Sequence, residues 1–147
     1  MSRGIDLVQG ELITLAASAA RTADGNGDWV YVGGERDHFT FVLDITNSDT
    51  DAGDTLDVYI DGSFDGSTQA FNIAHFPQQA GNAAAARVAA AIGSNNPGTA
   101  TFVVTADIAA GGVRSALRAP YLRARWVIVD SGDANSSHTF SVVGWAE

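Results

Sequence analysis

The sequence predicts an all-β protein, an antiparallel β-sandwich of jelly-roll type with one short inserted helix. Apolar and polar residues alternate over several short runs, which is the period of strands with one buried face. Turn-forming residues separate these runs at intervals of about ten residues, a spacing typical of sandwiches and barrels. The chain has 147 residues, which suits one domain. We expect this single domain over residues 11–147, preceded by an extended N-terminal arm at residues 1–10.

The clearest predicted strands lie in the first half of the chain. Large apolar residues occupy every second position of residues 39–45 and again of residues 56–60. The connection between these runs is rich in Asp, Asn, Ser and Thr, which favour turns. Two Asp-Gly steps at residues 61–66 suit a hairpin. The other predicted strands cover residues 11–17, 29–32, 69–76, 100–106, 121–130 and 138–145.

Residues 82–92 break the two-residue period and predict the helix. This run is dominated by alanine, the residue with the highest helix propensity. Asn82 is a suitable N-cap, and Gly93 with the polar loop after it would end the helix. Val88 and Ile92 are its only large apolar residues. We therefore expect the helix to pack through a thin stripe, on the sheets or on a neighbouring subunit.

Charge and composition disfavour several classes of protein. Seventeen acidic residues oppose eight basic ones, giving a net charge of −9. Direct binding to nucleic acid is not expected, because Lys and Arg that neutralise phosphates supply most of that affinity. The absence of cysteine removes disulfides, Cys-type zinc sites and thiol nucleophiles. No apolar run approaches the roughly 20 residues that span a bilayer, so we expect no membrane partner.

The sequence predicts that the protein is not an enzyme. Three histidines each stand alone in their local sequence: His38, His75 and His138. A Ser–His–Asp set is defined by geometry rather than by sequence, and a G-x-S-x-G nucleophile elbow does not occur. The glycines of residues 25–27 and 33–34 lie between predicted strands, so they lack the helix N-terminus that binds phosphate. We interpret them as turns.

One acidic loop makes calcium the candidate metal. Asp24, Asn26 and Asp28 place oxygen-bearing side chains at alternate positions, as an EF-hand loop does. Glu35 fits the twelfth position of such a loop, but the sixth position is Trp29 instead of glycine. The flanking segments are predicted strands, so an EF-hand is not expected. The three residues are candidate calcium ligands, and the alternative is a solvated turn whose side chains bond their own backbone. We predict no other cofactor.

Two aromatic residues are candidates for exposed contacts. Tyr59 alternates out of phase with the apolar residues of its strand, and Trp145 lies near the C-terminus. Trp126 shares a strand face with Leu122 and Ile128, so we assign it to the core. Exposed aromatic residues on a sandwich suit a glycan- or receptor-binding module, which is the alternative function.

Several segments occur in a distinctive order along the chain. They are residues 17–30 (ASAARTADGNGDWV), 43–46 (LDIT), 55–66 (TLDVYIDGSFDG), 75–77 (HFP), 119–126 (APYLRARW) and 137–142 (SHTFSV). This order resembles that of a group of small structural virion proteins of tailed bacteriophages, encoded among head and tail genes. The resemblance covers most of the chain from about residue 12, except the insert at residues 82–98.

This resemblance implies a structural protein of the virion, assembled in the host cytoplasm. It implies a capsid decoration protein that stabilises the outside of the phage head as a homo-oligomer, with a homotrimer favoured. Its partners would be the major capsid protein or neighbouring virion proteins, and a neck or tail position stays open. The resemblance carries no catalytic residues.

The N-terminal arm is a candidate contact with another subunit or the capsid. Its apolar residues Ile5, Leu7 and Val8 are interspersed with polar neighbours. Such a segment can add as a strand to an exposed sheet edge of a neighbouring chain. The alternative is a frayed terminus.

A set of arginines forms a second candidate contact. Residues 1–65 hold most of the acidic side chains, whereas the second half holds five of the eight arginines. The arginines would face an acidic patch on a neighbour, in a head-to-tail contact that closes into a ring. The alternative is pairing within the chain, with Asp57 and Asp61. The set comprises Arg114, Arg118, Arg123 and Arg125.

Overall fold

The computed structural model describes residues 10–33, 36, 38–48, 51–93, 107–114, 117–132 and 135–147. Across these residues the chain forms ten β-strands and no helix. The strands are β1 (Glu11–Arg21), β2 (Gly25–Asn26), β3 (Val30–Tyr31), β4 (Phe39–Ser48), β5 (Thr55–Ser63), β6 (Phe71–His75), β7 (Gln79–Ala80), β8 (Ala86–Ile92), β9 (Tyr121–Val129) and β10 (His138–Ala146). The prediction of an all-β protein is confirmed.

The strands form two antiparallel sheets. Across the first sheet the order is β1-β10-β4-β8. In the second sheet β9 pairs with β2 and β3 on one side and with β5 on the other. The far edge of β5 pairs with β6 and β7. Each long strand therefore has at least one neighbour that is distant in sequence, and the first and last strands, β1 and β10, lie side by side.

One hydrophobic cluster joins the two sheets. The alternation in β4 buries Phe41, Leu43 and Ile45 to within 1% exposure, and β5 contributes its own apolar positions to the same cluster. Between the sheets, the ring of Trp126 meets the ring of Phe140 edge-on, with centroids 5.7 Å apart. The sheets thus face each other across a shared core, the arrangement of a sandwich. Full burial of each large side chain contributes about 1.5–3 kcal/mol.

A glycine in β10 makes room for the core. An ideal Cβ on Gly144 would lie 2.3 Å from Cδ1 of Phe41. The phenyl ring of β4 therefore packs directly on the backbone of β10, which only a residue without a side chain permits.

The prediction of a helix over residues 82–92 is wrong. Residues 86–92 form β8, which pairs with β4 from Ile45↔Ala86 to Phe39↔Ile92. The burial of this segment follows the two-residue period of a strand, because Ala90 and Ile92 are buried while Ala89 and Ala91 are exposed. Pairing with the edge of β4 satisfies the backbone, and this tertiary contact overrides the helix propensity of alanine.

The other predicted strands agree with the observed ones within a few residues. Two predictions fall outside the described residues, namely the strand at residues 100–106 and the arm, of which only Gly10 is described. Within the described ranges, no helix is long and apolar enough to cross a membrane.

Candidate functional site

The outward side of the first sheet carries two adjacent rows of small and apolar side chains, which we call the open face. Cross-strand pairing aligns Leu12, Trp145, Thr40 and Ala91 in one row, and Thr14, Val143, Val42 and Ala89 in the next. Leu12 is 66% exposed and Trp145 is 47% exposed. Period-two alternation dictates this placement, because the intervening residues of each strand point into the core.

Trp145 is the largest side chain of the open face. Its indole lies over the backbone of Gly10, since an ideal Cβ at that glycine would lie only 2.1 Å from Cε2 of the indole. The indole therefore lies against the backbone at one end of the sheet, and the residue stays almost half exposed. The prediction that Trp145 is exposed is confirmed.

Charge is nearly absent from the outward side of this sheet. In the part of the chain that the structure describes, Asp44 and Arg87 are the charged residues at outward positions of its four strands. They lie next to each other at the border of the open face, and Nη2 of Arg87 is 3.0 Å from Oδ2 of Asp44. The open face is thus electroneutral on a chain whose net charge is −9.

The outward side of the second sheet is covered by the chain itself near β6, whereas Tyr31 at the β3 end of the same sheet stays exposed. Residues 107–114 run along β6, where the backbone nitrogen of Arg114 donates to the carbonyl of Ile73 at 2.8 Å. The backbone nitrogen of His75 likewise donates to the carbonyl of Gly112 at 3.0 Å. We call residues 107–114 the covering segment. It is bonded to β6 along its length and to Arg125 of β9 through Asp107.

His75 bridges β5 and the covering segment. Its Nδ1 donates to the carbonyl of Ile108 at 2.8 Å, and its Nε2 is 2.7 Å from Oδ1 of Asp57. Both ring nitrogens are therefore engaged in joining two parts of the sheet. His138 is fully buried, with its Nδ1 at 3.2 Å from the hydroxyl of Ser48, and it lies at the far end of the first sheet.

The prediction that Tyr59 is exposed is wrong. Tyr59 is only 7% exposed, because its ring is sandwiched between the ring of His75 and the guanidinium of Arg125, each centred 4.0 Å away. Burial raises the pKa of the Tyr59 phenol, and the negative charge of Asp57 raises it further. Strand alternation correctly turned this residue away from the core, but it could not reveal that His75 and Arg125 of the neighbouring strands cover its ring.

The predicted arginine set is divided by the structure. Arg123 and Arg125 both pair with Asp61, at 3.5 and 3.0 Å, and Arg125 also pairs with Asp107 at 2.6 Å. Although burial acts to lower it, these two carboxylates raise the pKa of Arg125. For these two arginines the pairing lies within the chain, and it involves Asp61 instead of Asp57.

The remaining two arginines of the set lie elsewhere. Nη1 of Arg114 donates to the carbonyl of Asn72 at 2.8 Å, which anchors the covering segment to β6. Arg118 is exposed and lies, with Arg36, beside an apolar pocket of about 150 Å³ whose lining includes Ile73, Ile92 and Leu122. Such a volume holds a single benzene-sized group, whereas sites for larger small molecules usually exceed about 300 Å³.

Two of the three candidate calcium ligands take part in strand pairing or bond to a strand, whereas Asp28 is exposed between β2 and β3. Oδ1 of Asp24 accepts a hydrogen bond from the backbone nitrogen of Ile128 at 2.7 Å, and Asn26 belongs to β2, opposite Arg125 of β9. No group of three or more His, Asp or Glu side chains suited to hold a metal ion occurs among the described residues. The apolar contact residues Ile5, Leu7 and Val8 lie outside the described part of the chain.

Sequence reasoning identified Trp145 but missed the rest of the open face. The signal was available in part, because Leu12 and Thr14 alternate out of phase with the buried Ile13 and Leu15. The place of Ala89 and Ala91 on this face was not predicted, because residues 82–92 were expected to form a helix instead of β8. The chain matches no protein-family model, no curated protein and no solved structure.

Proposed function

We propose that this chain is a structural protein of a virion, which decorates and stabilises the outside of a phage head as a homo-oligomer. It acts through surface contacts with the major capsid protein and with its own copies, and it catalyses no reaction. The observation that carries the proposal is the open face, a flat and uncharged surface with Trp145 and Leu12 exposed at one end. Exposed apolar patches of this kind mark interaction sites on soluble proteins.

The proposal includes a jelly-roll topology. Support comes from the pairing pattern, in which the chain resembles one long hairpin wrapped into two sheets. β1 pairs with β10, β2 and β3 pair with β9, β4 pairs with β8, and β5 pairs with β6 and β7. A rigid two-sheet body suits a protein whose task is to present a surface.

Two expectations about contacts change in this proposal. The head-to-tail contact through the arginine set loses support, because Arg123 and Arg125 are held by carboxylates of their own chain. The glycan- or receptor-binding alternative is weakened as well, because of its two predicted aromatic contacts Tyr59 is buried and Trp145 alone is exposed. Contact through the N-terminal arm stays part of the proposal.

The experiment that tests this function is the copy number of the chain in purified particles. Quantitative mass spectrometry would compare it with the major shell protein. A ratio close to that of the shell protein is expected for a decoration protein. A handful of copies would overturn the decoration role in favour of a neck or tail position, and absence from particles would overturn the virion role altogether.

A variant pair connects this experiment to the open face. The double substitution Leu12→Ser with Trp145→Ser removes the two large side chains of that face. Tyr31→Ser is the matched control, since Tyr31 is 68% exposed but lies on the second sheet. We expect the double variant to lose occupancy on particles while the control keeps it. Equal occupancy of both would exclude the open face as the contact.

A further inference from the structure

We infer that the open face binds the open face of a second copy of this chain, in a two-fold contact that stacks the first sheets of the two copies. This inference rests on the proposed function, because it names the partner of the same surface. The starting observation is the difference between the two sheets. Residues 107–114 cover the β6 side of the second sheet, whose outward positions also include the charged residues Asp57, Asp61, Arg123 and Arg125. The first sheet instead presents Leu12 and Trp145 to solvent on a nearly uncharged side.

Electrostatics favours a second copy as the occupant. Two chains of net charge −9 repel each other over most orientations. Contact through the open face brings no excess of like charges together, because the charged residues at outward positions among those described are one acid and one base, Asp44 and Arg87. Each copy therefore offers a neutral surface to the other.

The ion pair at the border suits a two-fold axis. Arg87 has a side chain that is 73% exposed, and that of Asp44 is 31% exposed. In a two-fold contact, if one residue of the first copy touches a different residue of the second copy, the reverse contact also forms. The guanidinium of Arg87 can therefore face the carboxylate of Asp44 in the other copy, twice per dimer, without leaving a charge unpaired.

Shape also supports stacking of the sheets. The open face consists of small or flat side chains, so two such sheets can approach to the roughly 10 Å spacing of packed sheets. Trp145 supplies the large aromatic side chain that commonly dominates binding energy at interfaces. Leu12 lies beside it in the same row.

The area of the open face sets the expected affinity of the dimer. Four strands spaced about 4.8 Å apart and about six residues long give roughly 400 Å² per copy. A standard stable interface buries about 800 Å² per partner. The dimer is therefore reversible, with a dissociation constant in the micromolar range or weaker, and higher local concentration on a particle would favour it.

Sedimentation equilibrium of the full chain, from micromolar to millimolar concentration, tests the inference. We expect a monomer–dimer equilibrium that Leu12→Ser with Trp145→Ser weakens at least tenfold and that the control Tyr31→Ser leaves unchanged. Thermal melts verify that each variant is folded. A wild-type chain that stays monomeric at millimolar concentration, or a dimer that the double variant does not weaken, would overturn the inference.

Charge reversal tests the two-fold arrangement separately. Arg87→Asp alone and Asp44→Arg alone each place like charges across the axis, so each variant should be monomeric. An equimolar mixture of the two should dimerise again, because each copy then complements the other. Mixing without recovery, or a trimeric assembly, would overturn the two-fold contact. A monomer in solution that is abundant on particles would refute this inference alone, whereas a dimer absent from particles would refute the proposed function alone.

Discussion

Oδ2 of Asp61 accepts a hydrogen bond from Nε of Arg125 at 3.0 Å, although Asp61 is only 3% exposed. The same carboxylate oxygen lies 3.5 Å from Nη2 of Arg123. One buried carboxylate thus pairs with two guanidinium groups of the neighbouring strand β9, and Asp107 supplies a second negative charge to Arg125. On the outward side of the second sheet these charged side chains therefore stabilise the fold, whereas the open face carries exposed side chains available for contacts.

Removal of this carboxylate should destabilise the fold strongly. Asp61→Ala leaves two largely buried arginines without their shared partner, and breaking a buried pair costs about 3–5 kcal/mol. The free energy of unfolding from urea denaturation provides the measurement. Asp44→Ala is the control, because it breaks the exposed pair with Arg87, for which a loss below about 1 kcal/mol is expected. Equal losses in the two variants would show that the Asp61 cluster is not a stabilising element.

A second prediction concerns the pH dependence of the turn after β5. The hydroxyl of Thr68 donates to Oδ2 of Asp65 at 2.6 Å, and further bonds come from the backbone of Ser67 and the hydroxyl of Ser63. These bonds lower the pKa of Asp65 well below its ordinary value. Stabilisation from this group is therefore present above about pH 4, the unfolded value, and is lost as the pH falls through the folded pKa.

Carboxyl NMR titration checks this directly. Asp65 should titrate at lower pH than an aspartate in a short peptide, and Thr68→Val should raise its pKa, because Thr68 makes the largest contribution. Asp65→Asn should flatten the decline of stability below about pH 4. An Asp65 midpoint near the peptide value in the wild-type chain would refute the role of these hydrogen bonds.

A third prediction uses the close approach of β4 and β10. Gly144→Ala places a methyl group against the ring of Phe41, where an ideal Cβ lies 2.3 Å from the ring. We expect a loss of about 1–3 kcal/mol in the free energy of unfolding from this overpacking. Gly132→Ala is the matched control, because nothing lies within 4 Å of its ideal Cβ. A neutral Gly144→Ala would mean that the two strands are spaced more widely.

A fourth prediction concerns the attachment of the covering segment. Oδ1 of Asn72 accepts a hydrogen bond from the backbone nitrogen of Ile108 at 3.1 Å, and Asn72 is 3% exposed. Asn72→Ala leaves that backbone nitrogen without its side-chain acceptor, at a cost of about 1–3 kcal/mol if it stays buried. We expect amide hydrogen exchange in residues 107–114 to accelerate at least tenfold.

The control for this fourth prediction is Gln78→Ala. Gln78 also bonds a residue of β5, since its Nε2 donates to Oδ2 of Asp57 at 2.8 Å, but it is exposed and makes no contact of this kind with residues 107–114. Exchange in the covering segment should stay at the wild-type rate. An unchanged rate in Asn72→Ala as well would show that other contacts are sufficient to hold the segment.

Local alternation was a sound guide wherever a strand has one face in the core. The run at residues 39–45 forms the first part of β4 and the run at 56–60 lies within β5. Phe41, Leu43, Ile45, Leu56, Val58 and Ile60 are buried as predicted, and Phe39 is partly buried. Alternation also gave the outward direction of Trp145. Each of these conclusions depends only on the fact that successive side chains of a strand point to opposite sides.

The amino-acid sequence by itself therefore determined the all-β class, the approximate strands and the side of the strand on which Trp145 lies. The tertiary structure alone decided that residues 86–92 are a strand, because the edge of β4 supplies the backbone hydrogen-bond partners. The local sequence of a short alanine-rich run does not predict such partners. It also decided that Tyr59 is buried, because His75 of β6 and Arg125 of β9 pack against its ring. Periodicity reports which way a side chain points, but what lies opposite depends on long-range pairing.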